Sequence, residues 1–354
     1  MKTGYLVLEN GTVFKGYRFG ADSDSIGELV FTTGMGGYIE TLTDPSYAGQ
    51  IVTQTFPLIG NYGVIASDFE GNCFINGYIV RECCCTPSNF RSEGNLDDFL
   101  KERGIPGLQG IDTRSLTKIL RESGVMNAVI CNEIPSDLKA LKDYRVTDVV
   151  SRVSCKAPYE LPAHGQEKLH VALMDYGHKK SIPLQLQKRG CRVTVLPYNT
   201  PAEEVLGLNP DGIMLSNGPG DPAENTFCIE QLKKLLGKKP IFGICLGHQL
   251  LALAAGGSTT KLKYGHRGVN QPVREPDGHR TCITSQNHGY AVEASSLPYF
   301  ALPWLINAND GTCEGVEYPK LNAFTVQFHP EARSGPMDTE FLFDRFIANM
   351  GGEN

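Results

Sequence analysis

Several features that a chain of 354 residues often carries are missing here. No long basic block occurs, and 39 Asp plus Glu against 33 Lys plus Arg leave a formal charge of −6. A surface that tracks nucleic-acid phosphates needs a basic stripe, so nucleic acid is not an expected partner. No apolar run approaches the roughly 18 residues of a membrane span. The opening Met1-Lys2-Thr3-Gly4, followed by Tyr5-Leu6-Val7-Leu8-Glu9-Asn10, turns polar too early for the apolar core of a signal peptide. The expected location is the cytoplasm, with no membrane contact. The eleven cysteines form no C-x-x-C pair, and in that reducing compartment most are expected to be small buried hydrophobes rather than disulfides. Internal repeats, low-complexity tracts and a G-x-x-x-x-G-K-[ST] phosphate loop are absent as well.

What is present fits a soluble globular protein, with 41% apolar and 20% charged residues, and the length favours two domains. The boundary is placed at 153–168, where Lys156-Ala157-Pro158-Tyr159-Glu160-Leu161-Pro162-Ala163-His164-Gly165 shows neither helical nor strand periodicity and reads as a linker. Before it, in 1–152, short apolar segments (Tyr5 to Leu8, Gly27 to Thr32, Gln50 to Thr55) alternate with glycine-rich turns. Helices are expected at Leu96 to Arg103 and Ser115 to Glu122, making a mixed β/α N-terminal domain. In 169–354 the rhythm becomes strand, helix, strand, helix: Val171 to Met174, Ser181 to Arg189, Arg192 to Leu196, Ala202 to Gly207, Gly212 to Ser216, Thr226 to Leu236, Pro240 to Ile244. That alternation predicts an α/β fold with a largely parallel sheet flanked by helices, which gathers ligands at the carboxyl ends of its strands.

Gly243-Ile244-Cys245-Leu246-Gly247-His248-Gln249 carries the strongest chemical signal, lying between a buried strand and an apolar helical run from His248 to Ala255. Glycines two residues to either side of Cys245 permit a sharp strand-to-helix turn, the nucleophile elbow with sulfur in place of oxygen. At the amino terminus of a helix, unpaired N–H groups and the dipole favour a thiolate. The base is expected from Phe328-His329-Pro330-Glu331. The preceding residues alternate as a strand, so His329 and Glu331 project to one side and the carboxylate orients the imidazole. A third element, Leu215-Ser216-Asn217-Gly218-Pro219-Gly220-Asp221-Pro222, formally matches G-x-G-x-x-A through Ala223. Two prolines stiffen it and no acidic residue marks a following strand, so an oxyanion hole from the Gly220 and Leu246 N–H groups is the better reading. Cys83-Cys84-Cys85 invites a metal, yet consecutive side chains on an extended segment alternate faces, and a structural role is expected.

Together these elements resemble the class I, or triad, glutamine amidotransferases over roughly 169–354. That resemblance implies a thiolate attack on the glutamine side-chain amide, a glutamyl thioester and release of ammonia. It also implies that Gly218, Gly220, Leu246, Gln249 and, from Ser285-Gln286-Asn287-His288-Gly289-Tyr290, the residues Asn287, Gly289 and Tyr290 contact glutamine. The earlier half carries Gly34-Met35-Gly36-Gly37-Tyr38, Thr43-Asp44-Pro45-Ser46-Tyr47-Ala48-Gly49-Gln50-Ile51-Val52, Phe56 to Gly63, Pro87-Ser88-Asn89, Gly104 to Gly107 and Gly110 to Arg114. In that order and spacing they are similar to the small chain of carbamoyl-phosphate synthase, which extends the resemblance over essentially the whole chain. It implies docking by the first domain to a large subunit that joins ammonia to bicarbonate. ATP and Mg are expected there, with no cofactor and no metal in this chain, and Ser46 is expected to reach the glutamine site. The product would serve arginine or pyrimidine biosynthesis. Local departures are Cys83-Cys84-Cys85 and Gly36, where more polar residues are expected, and Gln271, where histidine is commoner.

Two other readings use the same residues. A stand-alone γ-glutamyl thiol hydrolase would need the same elbow and triad, but a large companion domain without catalytic residues argues against it. A silent regulatory or docking subunit would be marked by loss of the nucleophile, and Cys245 is present. Zinc on Cys245, His329 and Glu331 lacks a fourth ligand and paired spacing.

Overall fold

The computed structural model describes residues 2–276, 278 and 280–351 and divides into two compact units between Thr147 and Asp148. In the first unit the strands are β1 (Thr3–Leu8), β2 (Val13–Gly20), β3 (Ser25–Thr32), β4 (Gln50–Gln54), β5 (Leu58–Ile59), β6 (Gly77–Ile79), β7 (Glu82–Cys83), β8 (Pro106–Gln109) and β9 (Met126–Cys131). The helices are α1 (Tyr38–Leu42), α2 (Leu96–Glu102), α3 (Thr113–Ser123) and α4 (Lys139–Asp143). Seven strands close into a barrel in the order β1-β2-β8-β6-β4-β3-β9, sealed by antiparallel pairing of β9 with β1, and closure removes the free edges of an open sheet. The helix starts follow from local chemistry. Asp98 N–H donates to the Asn95 side chain at 2.9 Å and Ser115 N–H to Asp112 at 3.0 Å, capping α2 and α3.

The second unit carries β10 (Tyr159–Leu161), β11 (Leu169–Asp175), β12 (Cys191–Pro197), β13 (Gly212–Leu215), β14 (Ile241–Ile244), β15 (Thr259–Arg274), β16 (Thr281–Val292), β17 (Leu302–Asn307), β18 (Cys313–Tyr318) and β19 (Ala323–Val326). Its helices are α5 (Val149–Val153), α6 (Ser181–Lys188), α7 (Ala202–Gly207), α8 (Thr226–Leu235), α9 (Leu246–Ala254) and α10 (Phe341–Asn349). Ten strands form one sheet, β10-β12-β11-β13-β14-β19-β18-β16-β15-β17. Its core, β12-β11-β13-β14-β19, is parallel, and every residue of β13 and β14 is buried, as strands covered on both faces require. Residues of α7, α8 and α9 pack in one apolar cluster and those of α6 and α10 in another.

The expectation of a largely parallel sheet needs correction. Beyond β19 the strands β18, β16, β15 and β17 pair antiparallel, as does β10 at the opposite edge, so the sheet is mixed. Long strands with half-polar burial patterns, such as β15, suit an antiparallel extension with a partly solvated face. Residues 153–168, read above as a linker, hold β10, which pairs with β12, while the compact unit opens at Asp148. No helix among the described residues is long and apolar enough to cross a membrane.

Candidate active site

The parallel core sets the site's position, because β14 and β19 are neighbours and both deliver chain to their carboxyl ends. Cys245 follows β14 directly and opens α9, and its N–H donates to Val326 O at 2.9 Å. Its backbone lies at φ 53°, ψ −102°, left-handed territory that a side chain enters only when the surroundings enforce it. The flanking glycines act differently from the expected turn-formers. A Cβ on Gly243 would meet Thr325 Cγ2 at 2.8 Å, and one on Gly247 would meet the Cβ and carbonyl oxygen of Leu215 at 2.6 Å. They allow close packing of elbow on sheet, and Cys245 itself bears the strain. Gly247 N–H donates to Ser216 O at 3.0 Å, tying the elbow to the 215–222 loop. In that loop a Gly218 Cβ would strike Tyr176 O at 2.2 Å and Leu246 Cδ2 at 2.7 Å, so backbone lies directly against the start of α9. Gly220 is left-handed at φ 86°.

His329 follows β19, with its N–H donating to Ser285 O at 2.9 Å. Imidazole Nδ1 lies 2.7 Å from Glu331 Oε1, with the His329 side chain 1% and the Glu331 side chain 0% exposed. The other ring nitrogen, Nε2, is buried with no hydrogen-bond partner among the described residues. Sequence reasoning missed Lys179, whose Nζ is 3.3 Å from the same Glu331 oxygen. Burial acts to raise the Glu331 carboxyl, but His329 and Lys179 overcome it and hold the group down at about 2. Lys179 lies just past β11, which pairs with β13 in the parallel core, so proximity to a strand's carboxyl end was the available signal.

Other candidates surround these groups. The Cys245 thiol donates to Asn287 O at 3.7 Å. Gln249, on the first turns of α9, donates through Nε2 to Tyr290 O at 2.8 Å and to Gln327 Oε1 at 2.9 Å. Asn287, Gly289 and Tyr290 all lie on β16, where Asn287 is buried and the other two are half-buried. These contacts join Cys245 to Asn287, Gln249 to Tyr290 and His329 to Glu331, with Gly218 packed against Leu246. Ser46 belongs to the first unit, in the 3-10 turn Pro45–Tyr47, where its N–H donates to Asp44 Oδ1 at 2.9 Å. Cys83 is buried, which pushes its thiol up to about 12 and suits a packing role.

Comparison with known proteins finds matches to both halves of the chain. The family Glutamine amidotransferase class-I matches residues 172–349, and the family Carbamoyl-phosphate synthase small chain, CPSase domain, matches residues 6–130. The carbamoyl phosphate synthase small chain of Bacillus anthracis is 54% identical over 347 residues, covering 97% of this chain and 94% of that protein. The protein of the same name from Fusobacterium nucleatum is 53% identical over 98% of this chain and 97% of its own length. That from Bacillus caldolyticus is 52% identical over 97% and 95%. A match of this extent, across both units, means that the chain belongs to the carbamoyl phosphate synthase small chain family and carries a class-I glutamine amidotransferase domain.

Proposed function

We propose that this chain is the glutamine-hydrolysing subunit of a carbamoyl-phosphate synthase, with Cys245 as nucleophile, His329 as general base and acid, and Glu331 as the group that orients and charges the imidazole. One arrangement carries the reading. A cysteine strained at a strand-to-helix elbow and a histidine lie just past the ends of adjacent parallel strands, and that histidine has one nitrogen on a buried carboxylate and the other without a partner among the described residues. The thiol passes its proton to His329 Nε2, and sulfur attacks the side-chain amide carbon of glutamine. The resulting oxyanion is held by the Gly220 and Leu246 N–H groups, each such donor being worth about 3 kcal/mol in the transition state. Imidazolium protonates the amide nitrogen, the C–N bond breaks, and ammonia leaves a glutamyl thioester on Cys245. Water then attacks the thioester with His329 as base, and collapse of the second tetrahedral species returns glutamate and the thiol. Glu331, held near pKa 2, remains an anion throughout and steadies the imidazolium in both steps.

In this reading Gly218, Gly220, Leu246, Gln249, Asn287, Gly289, Tyr290 and Ser46 bind glutamine. The first unit docks a large subunit that holds ATP and Mg and consumes the ammonia in the cytoplasm, supplying carbamoyl phosphate to arginine or pyrimidine synthesis. The test is glutamate release by the purified chain with and without that subunit. Slow release alone, acceleration in the complex, and carbamoyl phosphate only in the complex are expected. Cys245→Ser should abolish glutamine use while added ammonia still supports synthesis. Full-rate hydrolysis by a chain that ignores the large subunit would favour a stand-alone hydrolase instead.

A further inference from the structure

A second carboxylate–imidazole pair, its carboxylate buried and its imidazole partly so, stands beside β16, outside the chemistry above. Glu314 on β18, with a fully buried side chain, lies 3.5 Å through Oε1 from Nδ1 of His266 on β15 and accepts from Asn307 Nδ2 at 3.0 Å. His266 Nε2 is 2.9 Å from Asp310 Oδ2. On β16, Gln286 Oε1 lies 3.0 Å from His266 Nδ1 and 3.1 Å from His288 Nε2, and His288 Nδ1 lies 2.8 Å from Tyr290 O. His266, His288 and Glu314 place donor atoms within 4.8 Å of one another, a set a cation could use. Both nitrogens of each imidazole are already engaged by protein oxygens, however, so the trio reads as a hydrogen-bonded ion pair.

Its position matters because Asn287, whose carbonyl accepts from the Cys245 thiol, lies between Gln286 and His288. Tyr290 O, at the end of the network, also accepts from Gln249. The backbone ladder is interrupted on both sides of this stretch. The pairing of β15 with β16 is irregular between Lys261 and His266 and again between Gly268 and Gln271, which isolates the pairs His266 to His288, Arg267 to Asn287 and Gly268 to Gln286. Within such a short island the side-chain contacts add to the ladder in fixing where each residue points. The Gln327 N–H donates to Glu314 O at 2.9 Å and Gln327 Oε1 accepts from Gln249, so the same carboxylate residue is tied to the nucleophile's helix from the other side.

We propose that Glu314 and His266, braced by Asp310 and Asn307, are positioning residues that lock this island of β16 and thereby set Asn287 and Tyr290 for glutamine. The inference rests on the glutaminase reading of the site. Burial opposes a charge on His266, but Glu314 and Asp310 outweigh it and raise its pKa, while burial also raises Glu314, so the pair retains a shared proton to higher pH. The charged and titratable groups around it are Glu314, Asp310, His288 and Arg267, with His329 acting on His288 from the catalytic side.

The experiment measures glutamate release by the full chain with its large subunit, as kcat and KM for glutamine across pH. Loss of the shared proton at alkaline pH should raise KM while kcat holds. Glu314→Gln should raise KM by about tenfold at neutral pH, the scale of a buried hydrogen bond to a charged group, with kcat within about threefold. The midpoint of the KM rise should also move to lower pH, because His266 has lost a carboxylate. Asp310→Asn, at a half-exposed position that keeps its Oδ1 acceptor for Thr312, should fold normally and move that midpoint the same way by less. Changes in thermal stability without movement of the midpoint in Asp310→Asn would overturn the proposal. So would a KM in Glu314→Gln equal to that of the parent. A parent chain that releases no glutamate at all would sink the glutaminase reading instead.

Discussion

Among the described residues of the second unit, two histidine–glutamate pairs with a buried carboxylate behave in opposite ways. Glu331 has a short contact of 2.7 Å to His329 and a second cation, Lys179, at 3.3 Å, and its carboxyl is held at about 2. Glu314 has His266 at 3.5 Å and the neutral Asn307 amide at 3.0 Å, and burial wins, raising the carboxyl. The lesson is that burial alone does not decide a carboxylate's charge; the number and closeness of cations do. In the proposed mechanism the first pair keeps an anion beside an imidazole that gains and loses a proton. The second is built to keep a proton and hold a strand.

The comparison is broken most severely by kinetics. His329→Asn removes the proton carrier and is expected to lower kcat on the order of a thousandfold, whereas His266→Asn should act on KM. Single-turnover formation of the glutamyl thioester in each variant separates the two, and equal losses of kcat would erase the distinction. Glu331→Gln keeps the imidazole and removes its orienting charge, with an expected loss on the order of a hundredfold in kcat, less than that of His329→Asn. If both triad variants lost little, neither residue would belong to the mechanism.

These two regions were not equally legible in the sequence. Cys245 stood out because its strand, its helix and both neighbouring glycines are local, and His329 and Glu331 because they lie two apart at a strand end. The start of α2 at Leu96 was likewise legible, whereas α3 opens at Thr113, two residues before the expected Ser115. The pair Glu314 and His266 comes from different strands of the antiparallel half, and Lys179 from another strand end, so only tertiary pairing brings them to their partners. Barrel closure through β1 and β9 was hidden for the same reason, being a contact between near-opposite ends of the first unit. The mixed sheet was missed because the alternating rhythm of the parallel core was carried forward past β14.

Stability against pH sharpens the contrast. Glu331 has its folded pKa depressed from 4.5 to about 2, so its contribution is present above 4.5 and is lost as pH falls toward 2. A shift of that size corresponds to about 3 kcal/mol. His266 is raised, so its contribution is complete below 6.5 and is lost as pH rises through the folded value. Denaturant midpoints across pH should therefore show Glu331→Gln flattening the acid side and His266→Gln the alkaline side. The same change in both variants would contradict the assignment. The smallest expected effect is that of Lys179→Met. Without this cation the Glu331 carboxyl is held down less strongly, and the acid limb of the denaturant profile should move to higher pH by less than about one unit, with Lys179→Arg restoring it. An unmoved limb would remove Lys179 from the electrostatics of the triad.

The most direct measurement is intact-mass and peptide mapping of the chain quenched in acid during turnover of glutamine. A glutamyl adduct on the peptide that carries Cys245, absent from Cys245→Ser together with glutamate release, is the predicted result. An adduct on another cysteine, or undiminished glutamate release by Cys245→Ser, would contradict the account.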